Sequence, residues 1–137
     1  YELIEWIIKT ELLEPIKPLL NAGMIFEAIV LMLNNITANS VFYKKALKLE
    51  GAVTFNQIAM KCVYEMFMNI ISEKSTGKKS KYRWLTPEVI STYYAQSLCF
   101  ITEGWIAQGM DDIEPKEMAE AYMYLITRSM DDILSEL

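Results

Sequence analysis

Apolar residues recur along this chain at spacings of three and four and never settle into the alternation of a strand, so the pattern predicts helices from end to end. Leu3, Ile4, Ile7, Ile8 and Leu12 set out a first helix from Tyr1 to about Glu14, with no residue able to cap its start. Pro15 and Pro18 are expected to stop it, because proline lacks a backbone donor and disfavours helix at the residue before it. Asn21 offers a cap to the next helix, whose run MIFEAIVLML is apolar almost all round, as in a helix enclosed by its own domain. Asn39 or Ser40 opens a short helix through Leu49, with Phe42, Ala46 and Leu47 inward and Gly51 as a left-handed stop. Thr54 then caps a long helix whose main face is Phe55, Ile58, Ala59, Cys62, Met66, Phe67 and Ile70. The polar break from Ser75 to Leu85 reads as an exposed loop.

Two long helices close the chain, from Thr86 and Pro87 to about Gly109 and from Glu114 and Pro115 to about Leu134, and both carry unusually wide apolar surfaces. The remaining helices can cover one side of this pair and not both, which makes a second copy of the same pair the natural lid. The expectation is therefore a single all-α domain over residues 1–137, an antiparallel bundle of about five to six helices, whose last two helices form a four-helix bundle across a homodimer. The expected interface comprises Ser97, Ile101, Gly104, Trp105, Tyr122, Leu125, Ile126 and Ser129. The small Ser97, Gly104 and Ser129 admit close backbone approach, and Trp105 supplies a large anchor.

Composition narrows the chemistry. With 53% hydrophobic and 23% charged residues, five Gly and four Pro, the 137 residues have the means to bury a core. A net charge of −5 argues against this polypeptide alone gripping a nucleic-acid backbone; its one basic cluster, Lys78 to Arg83, falls in the loop. The absence of histidine removes the usual general base and the commonest zinc ligand. Asp111, Asp112 and Glu114 cluster at a helix junction, where capping and solvation explain them. No catalytic residues, metal site or cofactor are expected. Cys62 and Cys99, both in apolar helical surroundings, suit a reduced cytoplasmic interior, and no segment spans a membrane or opens the chain as a signal peptide.

A ligand pocket is suggested by the abundance of Met and aromatic side chains. Met24, Phe26, Met60, Tyr64, Phe67, Met68 and Tyr94 could surround a small apolar guest, although each also fits plain core packing. Glu27, the only charge in its helix, either faces water near the helix start or lines that pocket.

The run YYAQSLCFITEGWIAQGMDDIEPKEMAEAY resembles the closing helices of TetR-like transcriptional regulators, through Tyr93, Tyr94 and Ala95, then Gly104 and Trp105, Gly109 and Met110, and Pro115, Met118 and Ala119. VFYKKALKLEGAVTF is similar to that family's short mid-domain helix and the turn after it, and YELIEWI looks like the helix that links a DNA-binding unit to the regulatory domain. On this resemblance residues 1–14 are the remnant of the linking helix, and the chain is an effector-sensing and dimerisation domain that reaches DNA only through a helix-turn-helix outside these residues. The alternative is a helical adaptor whose input is a partner protein rather than a small molecule.

Overall fold

The first helix outruns its prolines. In the computed structural model, which describes residues 1–51, 53–77 and 80–137, α1 (Glu2–Ile7), a π-helical segment (Ile8–Leu13) and α2 (Glu14–Asn21) follow one another without a break. The backbone is right-handed helical at both junctions, at Ile8 and at Glu14. A proline ring collides with the carbonyl four residues back, and a π turn opens the helix at the place where the ring of Pro15 must fit. Glu14 N–H accordingly reaches back five residues to the Lys9 carbonyl. The carbonyl that Pro15 cannot serve, that of Glu11, accepts from Asn35 Nδ2 at 3.1 Å. The rod ends instead at Gly23, whose φ of +77° lets Gly23 N–H donate to Leu20 O at 3.0 Å and Met24 N–H to Leu19 O at 2.9 Å. Asn21 is thus the last residue of α2 and not the cap of the next helix, which starts after Met24.

The inner helix α3 (Ile25–Ala38) buries Ala28, Ile29, Met32, Leu33 and Ile36 and packs against α2 and the π segment. The chain then turns by 90° into α4 (Ser40–Leu47), which stops short of Leu49 and of Gly51. Tyr43, on α4, is among the most deeply buried side chains. Among the described residues no single helix is long and apolar enough to cross a membrane.

Thr54 starts α5 (Phe55–Lys74) as the sequence predicts, accepting from Gln57 N–H at 3.2 Å while Gln57 Oε1 accepts from Thr54 N–H at 2.8 Å. Thr86 starts α6 (Pro87–Ala107) in the same manner, accepting from Val89 N–H at 3.3 Å with proline in the first turn. These two long helices pack along each other. Charges pin the opening rod to α5: Lys9 lies 3.3 Å from Glu65, Lys61 lies 3.0 Å from Glu5, and Lys17 lies 3.5 Å from Glu73, while Lys9 also pairs with Glu5 within the rod at 3.2 Å. Of the basic cluster, Lys78 and Lys79 lie outside the described residues.

The last predicted helix is two. Positive φ at Gly109 and Met110 turns the chain into α7 (Pro115–Thr127), which rests on α3; Arg128 is then extended, and α8 (Met130–Glu136) begins. Ser129 is the cause, since its hydroxyl accepts from Asp132 N–H at 3.1 Å and so starts a new helix where continuation was expected. Glu136 folds α8 back, hydrogen-bonded by Tyr124 and 3.3 Å from Arg128.

Candidate functional site

Beneath the π turn the core leaves a cavity of about 40 Å³. Ile8, Leu12 and Leu13 of the π segment form its roof, and Met32 and Ile36 of α3, one turn apart, form a wall. Phe55, Ala59 and Val63 follow at every fourth residue of α5, and Leu98, Thr102 and Ile106 do the same on α6, so each helix turns a single stripe to the space. Tyr43, Cys99 and Glu103 complete the lining. The short side chains of Ala59, Cys99 and Thr102 leave the room that the longer ones bound.

The polar groups sit unevenly around this space. Tyr43 is fully enclosed, and its hydroxyl donates to Glu11 Oε2 at 3.2 Å on the π segment. Burial first, and the Glu11 carboxylate second, hold that phenol well above its usual range, so it stays a donor. Burial pushes the Cys99 thiol up to about 12 and the Cys62 thiol up to about 11, which keeps both as unreactive apolar fillers at neutral pH. Thr102 Oγ1 is buried with no hydrogen-bond partner among the described residues. Next to it, burial raises the Glu103 carboxyl above the ordinary carboxylate range, and a hydrogen bond from Asn56 Nδ2 at 2.7 Å offsets part of the effect. The surface that the cavity presents is hydrocarbon throughout, and the Glu103 carboxylate with Asn56 borders an outer groove instead.

None of the eight residues expected to bind ligand lines this cavity. Glu27 faces solvent, the first of its two readings, and Met24 is exposed where it precedes α3. Phe26, Tyr64 and Phe67 are half-buried against the outside of the core, and Met68 is half-buried on α5. Met60 borders a shallow outer groove with Phe100 and Gly104. Tyr94, tilted against Phe67 with ring centroids 6.2 Å apart, belongs to a second, open groove of about 670 Å³ at the start of α6, shared with Trp84, Leu85, Val89 and Tyr93. What the sequence reading missed is Thr102 and Glu103 and the wall supplied by the π segment. Thr102 carried a signal, being a hydroxyl four residues from Leu98 and from Ile106 on an otherwise apolar stripe; the π turn carried none beyond Pro15.

The expected dimer residues divide. Trp105 is only 2% exposed, its indole donating to Ile113 O at 2.8 Å, and Tyr122 is 3% exposed. Their own chain encloses both, so neither lies on the open surface of α6 and α7. Ser97 gives its proton to Tyr94 O at 3.0 Å, which makes Tyr122 the donor in the 2.8 Å bond between their hydroxyls. That bond ties α6 to α7. One turn beyond it on each helix stand Phe100 and Leu125, 76% and 49% exposed. Ile101 and Ile126 are half-buried, Gly104 is open with nothing in its own chain within 4 Å of an added Cβ, and Ser129 is occupied as a helix cap.

The described residues thus form an all-helical domain with an apolar cavity under its opening helix. Over residues 24–128, most of its length, the chain matches the TetR-type family model described as transcriptional regulator C-terminal region, and it belongs to that family. No curated protein and no solved structure matches it. It is thus the regulatory region of a transcriptional regulator.

Proposed function

We propose that this chain is the effector-sensing and homodimerisation domain of a TetR-like regulator, acting in the cytoplasm and passing ligand occupancy to a helix-turn-helix DNA-binding domain. One observation carries the reading: the cavity is roofed by the π segment of the opening rod, which continues directly from Tyr1 to Ile7, the residues that resemble the family's linking helix. A guest there touches that rod directly, so an arrangement of the rod that fits the guest better gains population when the guest binds. Family membership supports the regulatory role, and the exposed Phe100 and Leu125 support pairing with a second copy.

Thermal-shift screening of small hydrophobic metabolites against this chain and its Ala59→Met variant tests the sensing role. A ligand at a hundred times its dissociation constant should stabilise the wild type by about 2.7 kcal/mol, and filling the cavity at Ala59 should abolish the shift. Hits that survive in the variant bind elsewhere and count against the reading. The open groove of Trp84, Leu85, Val89 and Tyr93 favours the alternative, a helical adaptor docking a partner peptide, and such a partner would bind both forms equally.

A further inference from the structure

We propose that the outer groove between α5 and α6 is a separate binding site for a small organic cation: a primary ammonium set against the Glu103 carboxylate, with a short apolar body along Met60, Phe100 and Gly104. The site lies outside the cavity under the π turn and stands or falls independently of the effector reading.

The helices build this groove from one face each. Asn56 and Met60 stand one turn apart on α5, and Phe100, Glu103, Gly104 and Ala107 share one face of α6. The space is about 620 Å³ and open to solvent, a volume in the range of ordinary small-molecule sites. Gly104 leaves room beside the carboxylate, since an added Cβ there meets nothing within 4 Å. The Phe100 ring, 76% exposed, and the half-buried Met60 thioether offer apolar surface to the body of a guest.

Charge decides which guest. Glu5, Glu65, Glu73 and Glu136 each face a lysine or an arginine, whereas the half-buried Glu103 joins none of the ion pairs among the described residues. Its one partner is an amide, Asn56 Nδ2 donating to Oε2 at 2.7 Å. No lysine or arginine lines the groove. Burial raises the carboxyl above its ordinary range, so the ionised form is short of the solvation it has in water and gains from a cation brought beside it. Asn56 engages Oε2 and leaves Oε1 open, and an ammonium N–H donates there in a charge-assisted hydrogen bond. A neutral alcohol makes the weaker, uncharged version of the same bond. A carboxylate of the same shape brings a second negative charge against Glu103 and is excluded.

The experiment is an amide chemical-shift titration of the chain with 2-phenylethylamine, 2-phenylethanol and 3-phenylpropionate. It is repeated on Glu103→Gln, on Gly104→Leu, and on Glu120→Gln as a control that removes an exposed carboxylate of α7. The amine should bind with a dissociation constant on the order of 0.1–1 mM, with saturable shifts at the Asn56 side-chain amide, Glu103 and Gly104. The alcohol should bind roughly fivefold more weakly, and the carboxylate about tenfold more weakly or not at all. Glu103→Gln keeps an acceptor for Asn56 and should bring the amine down to the level of the alcohol. Gly104→Leu fills the groove and should block all three, with the fold intact by its amide spectrum. Glu120→Gln and Ala59→Met should leave the amine unaffected. Equal binding of the three probes overturns the cation, and amine binding that survives Gly104→Leu overturns the placement. A loss in Glu120→Gln as large as that in Glu103→Gln also overturns it, because the amine then follows only the net charge of −5. No saturable shift with any probe overturns the site, and the metabolite screen still decides sensing separately. Phe100 and Gly104 also belong to the surface offered to a second copy, so saturating amine should lower the dimer fraction in light scattering. Saturable binding that leaves a dimer intact supports the site and moves the pairing surface elsewhere.

Discussion

Two hydroxyls are the least settled atoms of the core. Ser91 is fully enclosed on α6 and its Oγ, like Thr102 Oγ1, has no partner among the described residues. Leaving such a group unpaired costs about 1–3 kcal/mol, so Ser91→Ala should raise stability by about 1 kcal/mol in urea denaturation; a loss would mean that the hydroxyl is served after all. Glu103 makes a pH argument. Its carboxyl is raised in the folded chain, so the native state holds the proton more tightly than the unfolded one, and stability falls as pH rises from below the ordinary value of 4.5 through the raised one. Glu103→Gln keeps an acceptor for Asn56 and should therefore be more stable than wild type at pH 7, with the advantage vanishing at pH 3; an advantage constant with pH would remove burial as its cause. At this scale the sequence was half legible. Helical spacing correctly put Ile58, Ala59 and Cys62 inside, and passed over Thr102, whose hydroxyl interrupts the apolar stripe of Leu98 and Ile106. It could not tell which stripes face each other, and that is why Met60, Tyr64 and Phe67, good pocket residues by type, stand on the outside of the bundle from the cavity.

Helix ends fixed by chemistry within one turn were mostly readable, and those that depend on neighbours were not. Thr54, Thr86 and Pro115 open their helices as predicted. Pro15 does not close one, since a π turn before it and Asn35 across from it relieve both of its defects, the collision and the orphaned carbonyl. This interpretation predicts non-additivity. Asn35→Ala should cost about 1 kcal/mol in the natural chain and clearly less in a Pro15→Ala background, where an α-helical N–H becomes available to Glu11 O; additive costs in the double-mutant cycle would refute the link. The stop at Gly23 is simpler. An added Cβ meets nothing within 4 Å, so the cost of Gly23→Ala is conformational alone, about 1 kcal/mol for the left-handed backbone. Ser129 is the converse case: Ser with Asp three residues on is a start signal inside an apolar run, legible in principle and outweighed by the periodicity around it.

For the whole molecule the question is what covers the outside of α6 and α7. The wide apolar surface of α6 predicted a twofold mate, and part of that surface is instead spent inward: Trp105 closes against Ile113, and Tyr122 is held by Ser97. What remains outside includes large side chains, Tyr93 and Phe100 on α6, Leu125 on α7, and Met130 and Leu134 on α8, with Phe100 bordering the same outer groove as the open Gly104. Large apolar side chains left exposed in number mark a surface suited to a partner. The division separates two kinds of substitution. Trp105→Ala should cost about 3–5 kcal/mol of folding stability, because the cavity it leaves is inside the chain. Phe100→Asp and Leu125→Asp should leave the fold of each subunit intact by circular dichroism and convert the dimer to monomer in light scattering at micromolar concentration. Monomeric wild type under the same conditions would defeat the proposed pairing, and a dimer untouched by both charges would move the interface elsewhere. Because the opening rod packs on α5 and α5 packs on α6, a dimer built on α6 would hold the two rods at a fixed separation. A guest under the π turn could then change their spacing only by moving each rod against its own α5, across the Lys9, Lys61 and Lys17 ion pairs. Those pairs are exposed and screened by salt, so the response of rod amides to a bound guest should grow between 0.05 and about 0.5 M salt; a response that shrinks would place the coupling in the core contacts of Ile8 and Leu12 instead.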